Sequence, residues 1–495
     1  MKVEHPGLES FEKPLRQLVE MAFNSGIKVL ESKGFGYEDI RRSTTAMSVF
    51  IRGCHYGYDR VQSRIGTAVI ALEKQIREKD QQLREFRRLR KEGVREIIGT
   101  IRVLRDRQLA LRRIVDTMVY TMLGEDEWVI RRLGDDKIRS IDPQVLDRTL
   151  KVASVRNEQS RYNFSVVSDL STAVHIGDLF EISFRAGERR AWKILELKEG
   201  KVNTLLSEIL GEKTSLTEED LISLNQRLDK SKVKQAERMV RQRATRYQFE
   251  KIIETDHGID YGTKQEITLS HDVAIVEDYG EDLYDLIEES VREGHASKTI
   301  DGCLHVIAVK SGKDVRPRTL VPMFHWLAHP SSLDLDLSSE EITKVWEAFA
   351  KKATIVDLAD LSMRMPRGRP IFYWGKVPHP RQVDLVMGHI RLFAYFDIEA
   401  FLEGVRSVGI KVSWITGTIP REISSLTTRI PGSPNAYGVE VEFPSGNVQT
   451  FLAGFFARVF LYQTNPSSLL KLVWRSDEQM EQMKMTRLHE KNKMK

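Results

Sequence analysis

Cysteine is almost absent from this chain of 495 residues, in which only Cys54 and Cys303 occur. Two cysteines so far apart in sequence exclude a disulfide framework and a cysteine zinc site, and they are typical of a protein from the reducing cytosol. The N-terminal segment has no apolar signal-peptide core, and no later run approaches the ~18–20 apolar residues of a membrane span. We therefore expect a cytoplasmic protein with no membrane partner.

Several common functional motifs are missing as well. The sequence contains no glycine-rich phosphate-binding loop, no nucleophile elbow and no zinc-finger spacing, each of which would predict a distinct chemistry. The net charge of +5 is small for this length, so only local clusters of charge can indicate a nucleic-acid partner. A chain this long exceeds what one hydrophobic core organises, and we expect roughly two to four domains.

Helical patterns dominate the first quarter of the chain. Residues 1–64 predict a helical bundle, which fits better than a helix-turn-helix because the turn spacing is wrong for the latter. From residue 65 to 123, apolar residues recur at the three-four spacing of a coiled coil, with a phase change near Gly93. Either one long helix carries a stutter there, or the chain folds back as a helical hairpin.

Arginine is concentrated on the polar faces of this coiled-coil region. One interpretation is a solvated exterior with ion pairs along the helix, and the other is an arm that contacts phosphate groups. The apolar stripe predicts a homo-oligomer under either interpretation. The arginines in question are Arg77, Arg84, Arg87, Arg88, Arg90, Arg95, Arg102, Arg105, Arg107, Arg112 and Arg113.

A β-hairpin is predicted from His175 to Lys201, where two runs of alternating apolar and polar residues flank a polar turn around Gly187. Centring the turn on Gly187 places Asp178 opposite Glu196, with Cβ atoms roughly 4.5–5.5 Å apart. Two carboxylates this close repel each other unless a divalent cation neutralises them, and Mg²⁺ prefers such oxygen ligands. Lys198 lies on the same strand face as Glu196 and could activate a water.

The pattern Gly177-Asp178, then Glu196-Leu197-Lys198, resembles the PD-(D/E)XK nuclease superfamily over about residues 140–255. Here His175-Ile176-Gly177-Asp178 replaces the Pro-Asp of that family. The resemblance implies a restriction-endonuclease-like αβββαβ core and Mg²⁺ or Mn²⁺ as the cofactor. It assigns Asp178, Glu196 and Lys198 as catalytic residues, with Asp178 and Glu196 as metal ligands. The other interpretation is a solvated hairpin with an exposed cross-strand pair, worth under about 1 kcal/mol.

Flanking helices supply further candidates. A predicted helix begins at Pro143 with Asp142 as its N-cap, and the resemblance implies an accessory metal role for its Glu158. The helix at residues 232–249 carries Gln235 at a position where several family members have an active-site glutamine. Its basic residues predict contacts with nucleic acid: Lys232, Arg238, Arg241, Arg243 and Arg246.

The remainder of the chain predicts an α+β region with a charged tail. The fold class is thus mixed α/β, or α+β. Predicted strands of the C-terminal region are Ile267–Ser270, Val273–Glu277, Cys303–Lys310, Pro370–Trp374, Ile410–Ile415, Tyr437–Phe443 and Phe455–Tyr462. The predicted domains are 1–64 (helical), 65–123 (coiled coil or hairpin), 124–255 (nuclease-like), 256–476 (α+β) and 477–495 (tail).

The resemblance predicts a Mg²⁺-dependent endonuclease that hydrolyses DNA, similar to effectors of prokaryotic antiviral defence, and such a protein could require an activating partner protein. One alternative is a non-catalytic scaffold or nucleic-acid-binding protein that dimerises through its coiled coil and retains a degenerate nuclease core. A second alternative is a nuclease that acts on RNA, because contacts that distinguish the 2′-OH group cannot be located from sequence.

Overall fold

The chain is mixed helix and sheet, 66% helical and 16% strand, which confirms the mixed α+β class. It folds into two compact units, one of residues 7–271 and one of residues 272–495. No helix in the described part of the chain is long and apolar enough to cross a membrane. A computed structural model describes residues 9–90, 92–124, 130, 141–160, 162–175, 177–184, 191–197, 201–211, 213–255, 257–259, 266–268, 277–310, 320–328, 339–352, 354–365, 368–416, 436–475 and 477.

Helices make up most of the unit of residues 7–271. Its described helices are α1 (Glu9–Ser32), α2 (Asp39–Arg42), α3 (Thr44–Arg88), α4 (Val94–Leu123), α5 (Pro143–Gln159), α6 (Lys201–Leu210), α7 (Glu218–Arg227) and α8 (Lys230–Thr255). Its described strands are β1 (Asn163–Val167), β2 (Leu179–Ser183), β3 (Ala191–Leu195), β4 (His257–Ile259) and β5 (Glu266–Thr268). Helix α3 runs without a break through the predicted domain boundary at residues 64 and 65.

Helices α3 and α4 form the predicted helical hairpin, and Gly93 takes the left-handed conformation (φ 91°) that reverses the chain between them. Leu72, Ile76 and Leu83 of α3 are buried, as are the stripe residues Ile97, Ile101 and Leu104 of α4. The apolar stripe therefore packs between the two helices of one chain. The homo-oligomer stays a prediction.

Close helix packing fixes α3 to its neighbours. A Cβ atom at Gly53 would lie 2.9 Å from Cβ of Val29 and 3.0 Å from Cα of Gly26, so α1 and α3 touch at their backbones. A Cβ at Gly66 would lie 2.3 Å from Cδ1 of Leu150 on α5. Helix α3 thus packs closely against both α1 and α5.

Strands β1, β2 and β3 form an antiparallel sheet in that order, with Val166 opposite Phe180 and Phe180 opposite Ile194. As predicted, Asp142 caps α5, accepting hydrogen bonds from the backbone N–H groups of Gln144 and Val145. The order α5-β1-β2-β3-α6 matches the first five elements of an αβββαβ core. The described residues add no fourth strand to this sheet, because β4 and β5 pair only with each other.

Side chains from α3 and α5 cover the outer edge of β1. Gln62 donates to the Ser165 carbonyl (3.2 Å) and accepts from the Val167 N–H (2.9 Å). Asn157 accepts from the Ser165 N–H at 2.7 Å. An uncovered edge strand would leave these backbone groups unpaired, so two amide side chains complete the sheet.

The unit of residues 272–495 is built on a second antiparallel sheet of order β6-β7-β9-β8, and a three-stranded sheet of order β10-β11-β12 follows. Its described strands are β6 (His295–Ile300), β7 (Leu304–Lys310), β8 (Ile355–Asp357), β9 (Ile390–Phe396), β10 (Lys411–Thr416), β11 (Ala436–Glu442) and β12 (Val448–Leu452). Its described helices are α9 (Gly280–Glu293), α10 (Val321–Ala328), α11 (Ser339–Lys352), α12 (Leu358–Arg364), α13 (His379–Met387), α14 (Ile398–Ser407), α15 (Ala453–Phe456), α16 (Arg458–Leu461) and a last one over 466–475.

Two strand predictions in this unit are wrong. Residues 455–462 form α15 and α16 instead of a strand, and residues 371–373 form a single 3₁₀ turn. Both segments are short and mainly apolar, and such a run is compatible with either helix or strand. Most of the predicted strand Val273–Glu277 lies outside the described residues.

Candidate active site

Gly177 brings the chain into β2 at a point where no other residue fits without strain. Its φ of +69° is in the left-handed region, and a Cβ there would lie 2.4 Å from Cγ2 of Ile194 and 2.9 Å from the carbonyl oxygen of Leu195. Both restrictions favour glycine, which has no Cβ and adopts positive φ without penalty. Because it is a glycine, the backbone just before Asp178 can lie directly against β3.

Asp178 joins β1 and β3 through its backbone and its side chain. Its carbonyl accepts from the Ser168 N–H (3.0 Å), and its N–H donates to the Leu195 carbonyl (2.9 Å). Its carboxylate Oδ2 accepts from the Leu197 N–H at 2.6 Å. The side chain of Asp178 thus continues the ladder beyond the last paired residues, Leu179 and Leu195.

The register of the hairpin extends from the Leu179–Leu195 pair toward Asp178 and Glu196. This is the pairing that the sequence predicts from a turn centred on residue 187. The carboxylate of Asp178 contacts the peptide N–H that directly follows Glu196, and both acidic residues are half-buried. Lys198, the third predicted catalytic residue, lies outside the described residues.

Asp178 and Glu196 place two carboxyl groups at neighbouring strand positions at this end of the hairpin. Among the residues that the structure describes, no group of three or more His, Cys, Asp or Glu side chains is arranged to hold a metal. Mg²⁺ is commonly bound through one or two carboxylates, with water and substrate phosphate oxygens completing the octahedron. Asp178 and Glu196 are the residues that would hold it.

A fully buried polar network, which no sequence pattern indicates, holds the loop that leads into this site. Asp116 of α4 accepts hydrogen bonds from Ser171 Oγ (2.6 Å), the Thr172 N–H (2.7 Å) and Thr172 Oγ1 (2.5 Å). Arg113 Nη1 donates to Asp116 Oδ2 at 2.8 Å, with both side chains fully inaccessible to solvent. Arg112 donates to the Ser171 carbonyl at 2.6 Å. Helix α4 therefore fixes the segment that precedes Gly177.

This network corrects part of the phosphate-arm interpretation. The sequence pattern groups Arg112 and Arg113 with the arginines of the solvated helix faces, but their side chains are 1% and 0% exposed. Their charges are directed at the loop of residues 171–172, so they cannot contact a phosphate. The pKa of Arg112 is lowered, because burial disfavours its charged form and the charge of Asp116 offsets only part of that effect.

The accessory candidate Glu158 lies away from Asp178. Its neighbour Asn157 is bonded to Ser165 in the middle of β1, whereas Asp178 is level with Ser168, roughly 10 Å further along at 3.3 Å per residue. Glu158 instead faces Asp59 of α3. Burial raises the pKa of Asp59, the hydrogen bond from Asn157 opposes this, and the charge of Glu158 raises it further. The structure does not bring Glu158 to the predicted metal ligands.

Helix α8 carries the other candidates. Gln235 is half-buried on a helix whose neighbouring residues Val233, Ala236 and Val240 pack against α6 and α7, and its place in the proposed site stays a prediction. Arg243 is 2% exposed and donates to the Gly211 carbonyl at the end of α6. Its predicted contact with nucleic acid is therefore wrong, because the guanidinium is used inside the fold.

The other basic candidates of α8 differ in how free their side chains are to contact a nucleic acid. Lys232 is paired with Asp229 at 2.7 Å, and Arg246 lies 3.7 Å from Glu250. Arg241 is exposed, and the side chain of Arg238 lies outside the described residues. These four remain predictions as nucleic-acid contacts.

On the face of the sheet opposite Asp178, a single buried carboxylate is surrounded by cations, an arrangement that the sequence did not indicate. Glu181 is buried on β2 and accepts from Arg156 (2.6 Å) and Ser165 Oγ (3.1 Å), and Lys193 lies 3.2 Å away. Burial by itself would raise the pKa of Glu181, but the hydrogen bonds from Arg156 and Lys193 outweigh it and hold the pKa below its ordinary value. Two cations already compensate this carboxylate, so it is not a candidate metal ligand.

His55 of α3 contacts the sheet next to β1 and makes the unit sensitive to acid. Its ring centroid lies 5.5 Å from those of Phe164 and Phe184, and burial lowers its pKa from 6.5 to about 4. Between pH 6.5 and about pH 4, His55 is therefore protonated in the unfolded chain but not in the folded chain. We expect stability from neutral His55 to be complete above pH 6.5 and to be lost progressively as the pH falls to about 4.

Urea titrations of wild type and His55→Gln at pH 7 and pH 4.5 measure this effect. Wild type should lose about 1–3 kcal/mol more between the two pH values than the variant does. The comparison cancels the carboxylates, such as Glu181, that titrate in both proteins. Equal pH dependence in the two proteins would contradict the assignment.

No protein-family model, curated protein or solved structure matches this chain. The likeness to PD-(D/E)XK nucleases therefore stands on the residues of the β2–β3 hairpin alone.

Proposed function

We propose that the protein is a Mg²⁺-dependent nuclease that hydrolyses phosphodiester bonds in DNA at the β2–β3 hairpin. The observation that carries the proposal is the hydrogen bond from the Leu197 N–H to the Asp178 carboxylate, which holds that carboxylate inside the Glu196-Leu197-Lys198 segment. The steric demand for glycine at position 177 supports it, because it accounts for the Gly-Asp pair. The buried Asp116 network adds rigidity to the loop just before the site, which precise positioning of a catalytic group requires.

Each residue has a distinct role in this proposal. Asp178 and Glu196 bind the cation from neighbouring strands, and the Leu197 N–H orients the Asp178 carboxylate. Lys198 acts as the base that takes a proton from the attacking water. When bound, the metal supplies charge that offsets the phosphate oxygens and favours ionisation of water.

Cleavage of supercoiled and linear DNA by the purified chain, in Mg²⁺ or Mn²⁺, tests the reaction. We expect Asp178→Asn and Lys198→Ala each to reduce the rate by at least about 10²-fold. Lys193→Ala is the matched control, because Lys193 is an exposed lysine of β3 whose ammonium group lies 3.2 Å from Glu181. The control should retain activity within about threefold.

Metal binding provides a readout that does not require an activating partner. Calorimetric titration with Mn²⁺ should give a binding site that Asp178→Asn weakens and Lys193→Ala leaves unchanged. Cleavage that survives both catalytic substitutions would place the activity at another site. Absence of both cleavage and Mn²⁺ binding would contradict the proposal and favour the non-catalytic alternative.

A further inference from the structure

The distal end of the α3–α4 hairpin, residues 80–105, carries an excess of positive charge. We call it the arginine tip. It contains eight Lys or Arg residues and four Asp or Glu residues, a net charge of +4 in a chain whose total is +5. Its exposed arginines are Arg84, Arg87, Arg88, Arg90, Arg95, Arg102 and Arg105.

Pairing distinguishes these arginines from those at the base of the same hairpin. At the base, Arg77 pairs with Glu73, Arg113 pairs with Asp116, and Arg112 bonds to Ser171. Arg105 lies at the border, 3.6 Å from Asp80. Within the described residues, the remaining six tip arginines make no ion pair and no side-chain hydrogen bond: Arg84, Arg87, Arg88, Arg90, Arg95 and Arg102.

The hairpin register brings these charges together from both helices. Asp80 faces Arg105, and Glu73 bonds to Gln108 at 3.2 Å, which places Arg95 level with the last turn of α3. Arg84 and Arg88 are one turn apart on α3, and Arg95 and Arg102 are two turns, roughly 10.5 Å, apart on α4. The charge is thus spread over a length that spans several phosphates of a duplex, which carries about one negative charge per 1.7 Å of axis.

The apolar residues of the tip point inward and argue against a membrane partner. Leu83, Ile97, Ile101 and Leu104 are buried between the two helices. Surface-bound amphipathic helices instead direct a broad apolar face into the lipid. Leu89 and Ile98 are the large apolar side chains that the tip exposes, and two residues do not form such a face.

We propose that the arginine tip binds the phosphate backbone of a nucleic-acid duplex, without reading its sequence. Arginine is suited to this task because its planar guanidinium forms two parallel hydrogen bonds with a phosphate. The inference extends the proposed function, since a nuclease must hold the duplex that it cuts. The charge on the arginine tip is observed independently of the proposed active site at the β2–β3 hairpin. Duplex binding can also be measured without cleavage.

Fluorescence anisotropy of a labelled 30-bp DNA duplex, with the full chain in EDTA and at 50–300 mM salt, measures this binding. Two paired variants remove tip charges, Arg84→Gln with Arg88→Gln and Arg95→Gln with Arg102→Gln. The matched control is Arg52→Gln with Arg64→Gln, two exposed arginines near the base of α3. Each tip pair should weaken binding roughly ten- to fiftyfold near 0.1 M salt and reduce the slope of log K against log salt by about two.

The outcomes separate this inference from the proposed function. The control pair and Asp178→Asn should bind as wild type does, and the tip variants should still bind Mn²⁺. Tip variants that bind the duplex as tightly as wild type would overturn the inference while leaving the hairpin site untouched. Binding to anionic lipid vesicles in place of the duplex would also overturn it.

Discussion

Replacing Asp116 by alanine should lower the free energy of unfolding of the unit of residues 7–271 by at least about 3–5 kcal/mol. The change leaves Arg113 as an uncompensated charge in a site with no solvent access. It also removes the acceptor for the Ser171 hydroxyl, the Thr172 N–H and the Thr172 hydroxyl. Each buried donor left without a partner adds about 1–3 kcal/mol of destabilisation. Urea titration of the full chain, with hydrogen exchange at residues 171–175, measures both the global and the local loss.

Asp80→Ala is the matched control on the same hairpin, because the Asp80–Arg105 pair is 3.6 Å long and its side chains are 34% and 62% exposed. It should cost less than about 1 kcal/mol. Arg113→Met combined with Asp116→Leu should be less damaging than Asp116→Ala alone, since Arg113 and Asp116 then leave together and the buried charge that remains is Arg112, which keeps its hydrogen bond to the Ser171 carbonyl. A loss below 1 kcal/mol for Asp116→Ala would mean that the network does not support the loop.

Local pattern was enough to predict the β2–β3 hairpin and its register. Alternation with period two decides which side chains share a face, and the polar turn around residue 187 fixes the offset between strands. The N-cap at Asp142 was equally readable, because capping needs only residues next to each other in sequence. At the α3–α4 connection the pattern left two alternatives, and the left-handed backbone of Gly93 decides for the hairpin.

The buried network could not be predicted, because its partners are far apart in sequence. Asp116 and Ser171 are separated by 55 residues, and nothing in the spacing of Arg112 and Arg113 distinguishes them from the exposed Arg102 or Arg105. Arg243 was misassigned for the same reason, since the carbonyl that it binds belongs to Gly211 on another helix. A charged side chain on a helix is expected to face solvent. Only the tertiary structure shows which of these side chains are buried and bonded inside the fold.

The chemistry of the proposed site stays a prediction, because residues cannot reveal a cation or a substrate by their order. What the structure adds is a reason for the glycine. The sequence pattern includes Gly177 beside Asp178, but it supplies no physical reason for a glycine there. Its positive φ and the lack of space for a Cβ atom mark it as the residue that sets the position of Asp178.

Gly177→Ala is therefore expected to lower the free energy of unfolding by about 2–4 kcal/mol and to weaken Mn²⁺ binding at the hairpin. About 1–2 kcal/mol arises from forcing an alanine into left-handed backbone. The rest arises from overlap with Ile194 and, at 2.9 Å, with the carbonyl oxygen of Leu195. That carbonyl is the acceptor for the Asp178 N–H, so relief of the overlap displaces the carboxylate that the Leu197 N–H holds.

Gly34→Ala separates the two contributions. Gly34 has a similar φ of +79°, but no atom lies within 4 Å of a Cβ built there. Its substitution should cost only the backbone penalty of about 1–2 kcal/mol and leave Mn²⁺ binding unchanged. If the two variants lose the same stability and bind Mn²⁺ equally, then β2 does not approach β3 as closely as described and the geometry of Asp178 does not depend on Gly177. A larger loss at Gly177, together with weaker Mn²⁺ binding, would tie the position of the carboxylate to this one contact.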